Sequence, residues 1–275
     1  MTAATACENP VPKRPARWML PALLGLHLLL ASYYAVALPL WGAVPDEPLH
    51  YSHIKFVAEH WRLPVINDPF RDLKEYYFVA DPAGAAQHGP TYYWSAAVLY
   101  KLAEGLSLTR QQYVLRFYSV WLGLLTVFLT YRAFQLLLGD EPRLVFASTL
   151  LVTLMPHRLL MSAVMYADVM AILGTTAALY AIIWCVQTRQ GARGWLVAGL
   201  VFGLDMLTKT SAIVVVPGLA VTVALLWRGR EWSARQLAAH VGAFAAGTLA
   251  VSGWWLWRSV QLYGELFPTE PMPPG

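Results

Sequence analysis

Seven apolar stretches constrain the fold of this chain more than any other feature of its sequence. They predict membrane spans over residues 18–41, 116–138, 143–162, 169–187, 194–208, 211–227 and 237–257. The first stretch is almost wholly apolar and long enough to cross a hydrocarbon core of about 30 Å. Hydrophobic residues make up 57% of the chain and charged residues 13%, about half the charged fraction of a typical soluble domain. The sequence therefore predicts an all-α, polytopic integral membrane protein with about seven transmembrane helices.

The basic residues predict the orientation of these spans. Lys13, Arg14 and Arg17 precede the first span, so the positive-inside rule places residues 1–17 in the cytoplasm as an N-terminal tail. Alternate connections carry most of the other basic residues, namely Arg132, Arg143, Arg189, Arg193, Arg228, Arg230 and Arg235. Keeping all of them in the cytoplasm requires seven crossings, with the fifth and sixth spans meeting near Lys209. The first stretch also admits a second interpretation, a signal peptide cleaved at Ala35-Val36-Ala37, although it is long for one.

The net charge and the cysteine content limit the classes of binding partner and the covalent links expected for this chain. The net charge of +4 is accounted for by basic cytoplasmic loops, and no soluble basic surface for nucleic acid is evident. The two cysteines, Cys7 in the tail and Cys185 within a span, are not expected to form a disulfide. Membrane lipids are the partners that the composition predicts.

The first two spans enclose a large outer loop, residues 42–115. Residues 46–60 are predicted to form a helix with Pro48 in its first turn, a position that proline tolerates. Residues 90–103 reach only about 20 Å as a helix, too short to cross. An aromatic start with Lys101 near the end favours a helix lying at the outer interface. At the other end of the chain, residues 268–275 form a Pro-rich extracytoplasmic tail.

Polar residues that could perform chemistry converge on the outer side under this topology. Asp46 and Glu47 open the first loop, and His88 precedes the interfacial helix. Asp168 lies between the third and fourth spans, and Lys209 lies between the fifth and sixth. A carboxylate can take a proton from an acceptor, and a cation can stabilise an anionic leaving group. This combination suits transfer from a lipid-linked phosphate.

Each of these residues also has a non-catalytic interpretation. Asp46 and Glu47 could cap the helix that follows, and Asp168 could cap the fourth span. Lys209 could reach toward the membrane interface, the commoner fate of a lone lysine near a span end. Arg116 and Arg258 could anchor the ends of the spans in which they lie.

Other positions give weaker indications of function. His50 and His53 share a helical face with Asp46, so a divalent metal is conceivable, although ordinary amphipathic placement explains the spacing as well. Arg158, beside His157 near the outer end of the third span, could meet phosphate or only lipid headgroups. Asp205 lies inside the fifth span, where a carboxylate is a functional candidate, and its role is unassigned.

The order of the motifs resembles the membrane glycosyltransferases of the GT-C fold. These motifs are PDEPLHYSHIKFVAEHWRLPV, QHGPTYYW, LRFYSVWLGLLTVFLTYRAFQLL, the Asp168 loop, GLVFGLDMLTKTSAIVVVPGLAV and GWWLWRSVQLYGELF. The chain is most similar to bacterial relatives of the protein O-mannosyltransferases and the lipid A aminoarabinose transferases, over residues 18–267. The resemblance implies seven conserved spans and membrane-lying helices in the first outer loop. It also implies a polyprenyl-phosphate sugar donor and inverting transfer at the outer face of a bacterial inner membrane.

The resemblance also implies residue roles. Asp46 matches the acidic base of the first loop, with Glu47 beside it, and Asp168 matches the second acidic loop. Lys209 matches the lysine that faces the donor phosphate, helped by Arg116, which matches the arginine opening the second span, or by Arg258. His88 and Tyr92 are candidates for the acceptor pocket, although His88-Gly89-Pro90 replaces the family's paired prolines. The acceptor, whether lipid, glycan or protein, is not specified, and family members continue through several more spans.

Two other functions compete with a glycosyltransferase. A transporter or flippase of a lipid-linked intermediate is favoured by Asp205 and the short fifth and sixth spans, and disfavoured by the lack of a visible repeat. A truncated, non-catalytic membrane subunit is the other alternative. No phosphate-cradling Gly-rich loop is present in the sequence, which is consistent with an enzyme that uses no nucleotide at the outer face.

Overall fold

The protein is all-helical over the residues that its computed structural model describes, which are 16–41, 45–65, 86–139, 141–229 and 232–268. The α-helices are α1 (Met19–Ala37), α2 (Glu47–His60), α3 (Pro90–Leu102), α4 (Leu108–Leu138), α5 (Pro142–Thr153), α6 (Pro156–Met161), α7 (Ala167–Gln187), α8 (Ala192–Met206), α9 (Val215–Arg228) and α10 (Ala234–Tyr263). A 3₁₀ helix over Thr210–Val214 precedes α9. The predicted tails, residues 1–17 and 268–275, lie almost wholly outside the described residues.

Five helical segments are long and apolar enough to cross a membrane among the residues described. They are α1, α4, α7, the segment Thr210–Arg228 and α10. This confirms the prediction of a polytopic, all-α membrane protein. The other two predicted spans correspond to shorter helices, so the count of seven crossings stays a prediction.

One predicted span, residues 143–162, is interrupted in its second half. α5 ends at Thr153 and α6 begins at Pro156, because proline has no N–H with which to continue the helical hydrogen bonds. Met155 has left the helical region, with φ −59° and ψ 120°, as expected for a residue before proline. The predicted separation near Lys209 is present, since α8 ends at Met206 and the 3₁₀ helix begins at Thr210.

The longer helices pack side by side in a fixed order. α4 packs between α1 and α7, α7 also packs on α8, and α8 packs along α10. α2 and α3 pack against each other, and α3 also contacts α4 and α7. α3 therefore lies against the membrane helices, and α2 packs on α3.

The outer loop matches its prediction in part. The helix predicted over 46–60 is α2, and the helix predicted over 90–103 is α3. α4 begins at Leu108, eight residues earlier than the predicted span, so Arg116 lies inside a helix and does not open one. Buried residues of α2, α3, α4 and α7 form one apolar core at this end, which includes Ile54, Val57, Tyr92, Tyr93, Leu115 and Val169.

Candidate functional site

A buried ion pair fixes the start of the outer loop. Glu47 and Arg116 are both fully buried, with Arg116 Nε donating to Glu47 Oε1 at 2.8 Å and Nη2 donating to Oε2 at 2.6 Å. The remaining guanidinium N–H groups donate to the carbonyls of Ala35, Leu38 and Pro39, each at 2.9 Å. Glu47 Oε1 also accepts from Met165 N–H at 3.2 Å. Glu47 therefore lies in the interior and does not accompany Asp46 to the surface.

Removing one partner of this pair should destabilise the protein strongly. Arg116→Met leaves the Glu47 carboxylate buried without its counter-charge, which costs about 3–5 kcal/mol of unfolding free energy. Unfolding of the purified protein in mixed micelles measures this loss. The control is Arg132→Met, because Arg132 is exposed on the same helix. Equal stability of the two variants would contradict the structural role assigned to the Glu47–Arg116 pair.

Asp46 points away from the interior and meets the loop before α7. It is exposed, and its Oδ2 accepts a hydrogen bond from Tyr166 Oη at 2.7 Å. Asp46 stands at the N-cap position of α2, yet its side chain makes no capping hydrogen bond. The capping interpretation of Asp46 therefore does not describe its contacts.

Lys209 and Asp168 form a second ion pair beside Tyr166. Lys209 Nζ lies 2.7 Å from Asp168 Oδ1, and the two side chains are 24% and 26% exposed. The ammonium also lies 5.9 Å from the centre of the Tyr166 ring. Asp168 is in the first turn of α7, whose N-cap residue is Tyr166, so its carboxylate pairs with a cation and is not the cap. Tyr166 thus contacts both Asp46 and Lys209.

The segment before α3 is hydrogen-bonded to the Lys209 segment. Gly89 N–H donates to the Thr208 carbonyl at 3.1 Å, and Thr91 N–H donates to the Leu207 carbonyl at 3.2 Å. A Cβ at position 89 would overlap the Leu207 carbonyl, so glycine is needed for this close approach. A proline at position 89 would also lack the donor to Thr208. The departure from paired prolines at His88-Gly89-Pro90 therefore has a local structural reason.

Two neutral histidines, His50 on α2 and His88 before α3, lie beside the site with their rings stacked. Burial lowers the pKa of His88 to about 4, helped by the charge of Lys209 and opposed by those of Asp168 and Asp46. Burial also holds the pKa of His50 well below its usual value, with His88 contributing. The His50 ring lies 4.3 Å from the Tyr166 ring, and its Nδ1 is 2.7 Å from Tyr93 Oη. At neutral pH both imidazoles are uncharged.

The histidine pair suggested for metal binding is engaged with aromatic rings. His53 stacks on Tyr93 with ring centres 3.7 Å apart, and His50 is hydrogen-bonded to the same tyrosine. Within the described ranges, no group of three or more His, Cys, Asp and Glu side chains is arranged to hold a metal ion. His50 and His53 therefore do not form a metal site with the side chains described.

The remaining predicted residues lie at the edge of this cluster or away from it. Tyr92 is fully buried in the apolar core with its ring centre 6.5 Å from that of His50, and the Arg258 guanidinium lies 4.8 Å above the Trp255 ring on α10. Asp205 accepts a hydrogen bond from Thr175 Oγ1 at 2.8 Å, and its backbone carbonyl accepts from the N–H groups of Thr208 and Lys209. The Asp205 backbone therefore ties the last turn of α8 to Lys209. Arg158, for which phosphate and lipid headgroups were the alternative partners, is buried.

Tyr166 is the residue of this site that the sequence did not single out. Its hydroxyl contacts Asp46, 120 residues earlier in the chain, and its ring contacts His50 and Lys209. Burial and the hydrogen bond to Asp46 raise the pKa of Tyr166 above its usual value, so the hydroxyl stays protonated and donates. The only local signal was an aromatic residue two positions before Asp168.

Comparison with known proteins gives a family and a fold. Residues 87–257 match the family described as dolichyl-phosphate-mannose-protein mannosyltransferase, and no curated protein sequence matches the chain. The structure is similar to the apo form of the Archaeoglobus fulgidus oligosaccharyltransferase, with a TM-score of 0.66 and 15% sequence identity. That match covers 90% of this chain and 30% of the oligosaccharyltransferase, so this chain spans less than a third of that protein. The family match extends over more than half of the sequence, and the protein belongs to the dolichyl-phosphate-mannose-protein mannosyltransferase family of membrane glycosyltransferases, with the GT-C fold.

Proposed function

We propose that this protein transfers a sugar from a polyprenyl-phosphate donor to an extracytoplasmic acceptor, with inversion at the anomeric carbon. The observation that carries the proposal is the contact of Tyr166 with both Asp46 and Lys209. An exposed carboxylate and a partly buried ammonium are thereby held beside one tyrosine ring, at the end of the bundle where α2 and α3 pack. General-base and leaving-group chemistry need these two charges close together.

Asp46 is the proposed general base. Its carboxylate takes the proton from an acceptor hydroxyl or amine while that group attacks the anomeric carbon. The bond from the anomeric carbon to the phosphate oxygen breaks, and polyprenyl phosphate leaves with the bonding electrons. Attack opposite to the leaving phosphate inverts the configuration.

Lys209 is the proposed partner of the leaving phosphate. Its ammonium keeps a positive charge beside the site, where the neighbouring histidines are neutral at pH 7. Asp168 pairs with Lys209, and the donor phosphate would share or replace that contact. The buried Glu47–Arg116 pair supports the start of the loop from the interior.

The proposed location is a bacterial inner membrane with the site on the outer face. Cysteines introduced singly at Thr91 and Gly229 test this orientation in intact cells. An impermeant thiol reagent is expected to label position 91 and not position 229. Labelling at position 229 would place the basic cluster Arg228–Arg235 outside and would overturn the orientation.

A donor panel tests the proposed reaction. Purified protein in proteoliposomes is offered radiolabelled sugars on polyprenyl phosphate and the same sugars on nucleotides, together with a membrane extract as acceptor source. Transfer from the lipid-linked donors alone is the expected result, with release of polyprenyl phosphate. Movement of the lipid-linked sugar across the bilayer without release of polyprenyl phosphate would instead indicate a transporter.

Tyr166→Phe should reduce turnover without unfolding the site. The variant keeps the ring that contacts His50 and Lys209 and removes only the hydroxyl bonded to Asp46. A hydrogen bond to a charged group contributes about 1.5–3 kcal/mol, so kcat is expected to fall about 10-fold or more. The inhibition constant for polyprenyl phosphate should be unchanged, which separates a positioning role at Asp46 from a general loss of the site. Tyr33→Phe, an exposed tyrosine on α1, is the control. Unchanged kcat would show that Asp46 acts without Tyr166.

A further inference from the structure

Arg158 is a buried cation that the proposed reaction does not use. It is 6% exposed, and its Nε, Nη1 and Nη2 have no hydrogen-bond partner among the described residues. No carboxylate of the described chain forms an ion pair with it. A guanidinium withdrawn from water without a counter-charge is strongly unfavourable, so an intramembrane arginine of this kind calls for a partner.

His27 and Ser162 complete a polar group around this cation. His27 on α1 is 1% exposed and lies near both Arg158 and the Val120 backbone, and neither of its ring nitrogens makes a hydrogen bond of good geometry within the described structure. Ser162 is buried, and its hydroxyl donates to the Arg158 carbonyl at 2.9 Å. A Cβ on Gly123 of α4 would lie 2.6 Å from His27 Nε2 and against Ser162 Oγ. His27 and Ser162 therefore lie close together beside the glycine.

This group is separate from the proposed active site. Gly123 lies seven residues beyond Arg116 on α4, about 10 Å deeper into the bundle. Arg116 has all its N–H groups satisfied, whereas Arg158 has none satisfied through its side chain. Arg116 thus has a counter-ion in Glu47, whereas Arg158 has no counter-ion among the described residues.

We propose that Arg158, His27 and Ser162 form an internal binding site for the phosphate group of a small or lipid-linked anion. The Nε and Nη groups of a guanidinium form a fork that fits two oxygens of a phosphate. The His27 ring N–H supplies a further donor, whereas the single Ser162 proton is already donated to the Arg158 carbonyl, so Ser162 contributes by packing beside His27. Met155, Pro156 and His157, which directly precede Arg158, are exposed, so the break between α5 and α6 provides a short route from the surface.

Phosphate-dependent thermal stability tests this site independently of turnover. The starting protein carries Lys209→Gln, which removes the other cation proposed to bind phosphate. Inorganic phosphate and dodecyl phosphate, the latter below its micellar concentration, are the two probes. At about 100 times the dissociation constant, a bound phosphate is expected to raise the thermal midpoint by about 5 °C or more.

Three variants in this background distinguish a site from a general salt effect. Arg158→Met should abolish the increment, and Arg158→Lys should retain part of it, since lysine keeps the charge without the fork. Gly123→Ala keeps the guanidinium and should reduce the increment, because its methyl group would overlap Ser162 Oγ and His27 Nε2 and displace these side chains. Arg132→Met, at an exposed arginine, should leave the increment unchanged.

The probes also separate the two possible sources of phosphate. An increment with dodecyl phosphate alone identifies a lipid phosphate, and an increment with inorganic phosphate identifies a free ion. If Arg158→Met does not fold, the Arg158→Lys and Gly123→Ala pair decides the question. No increment with either probe, or an increment that survives the substitutions at Arg158 and Gly123, overturns the site.

Discussion

Asp46→Asn is expected to reduce sugar transfer by about 10²-fold or more, because asparagine cannot take a proton from the acceptor. The substitution is nearly isosteric and keeps an oxygen that can accept the hydrogen bond from Tyr166 Oη. Donor binding should therefore persist while the chemical step fails. The measurement is kcat with a lipid-linked donor, together with the inhibition constant for polyprenyl phosphate.

Glu104→Gln provides a matched control for Asp46→Asn. Glu104 is an exposed acid of the same outer loop, bonded to Lys101 at 2.8 Å, and lies outside the cluster around Tyr166. It should leave kcat unchanged. Full activity in purified Asp46→Asn protein would contradict the assignment of Asp46 as the base. Asp168 would then be the next candidate for that role.

Lys209→Gln is expected to abolish turnover and to weaken binding of the polyprenyl-phosphate product. Glutamine removes the charge that would meet the leaving phosphate and leaves Asp168 without its partner. Lys209→Arg keeps a charge with altered reach and geometry, so partial activity is expected. Product inhibition by polyprenyl phosphate in detergent, measured on the wild type and both variants, tests these expectations.

The ion pair of Lys101 and Glu104 supplies the control for charge removal. Its contact of 2.8 Å is close to the 2.7 Å between Lys209 and Asp168, but the Lys101–Glu104 pair is more exposed. Lys101→Gln should therefore leave turnover and product inhibition unchanged. If the wild type, Lys209→Gln and Lys209→Arg turn over equally and bind lipid phosphate equally, Lys209 is a membrane anchor and not a phosphate ligand.

Much of the helical framework could be predicted from local sequence. α2 and α3 were predicted within a residue of their ends, since Pro48 and Pro90 mark first helical turns. The separation of α8 from the segment that follows was predicted from the distribution of charge. α4 began earlier than predicted, because Gln111 and Gln112 are polar in sequence but buried within the helix bundle.

The candidate site was predictable only in its components. Asp46 and Glu47 are adjacent, and a helical step of about 100° per residue turns neighbouring side chains to different faces. Which of the two would face the surface depended on Arg116, 69 positions away, whose guanidinium holds Glu47 inside. No local sequence pattern marks Tyr166 as a site residue, because its role arises from contacts with Asp46 and Lys209 that only packing creates.

The sequence by itself determined that this chain is a helical membrane protein, because the length and apolarity of its stretches are local properties set by the bilayer. The order of its motifs also determined the resemblance to GT-C glycosyltransferases. Tertiary structure alone decided which charges are paired inside, which remain at the surface, and that the Arg158 side chain has no hydrogen-bond partner among the described residues. Those outcomes depend on contacts between helices far apart in the chain, where burial and charge pairing act together and local patterns carry no information about them.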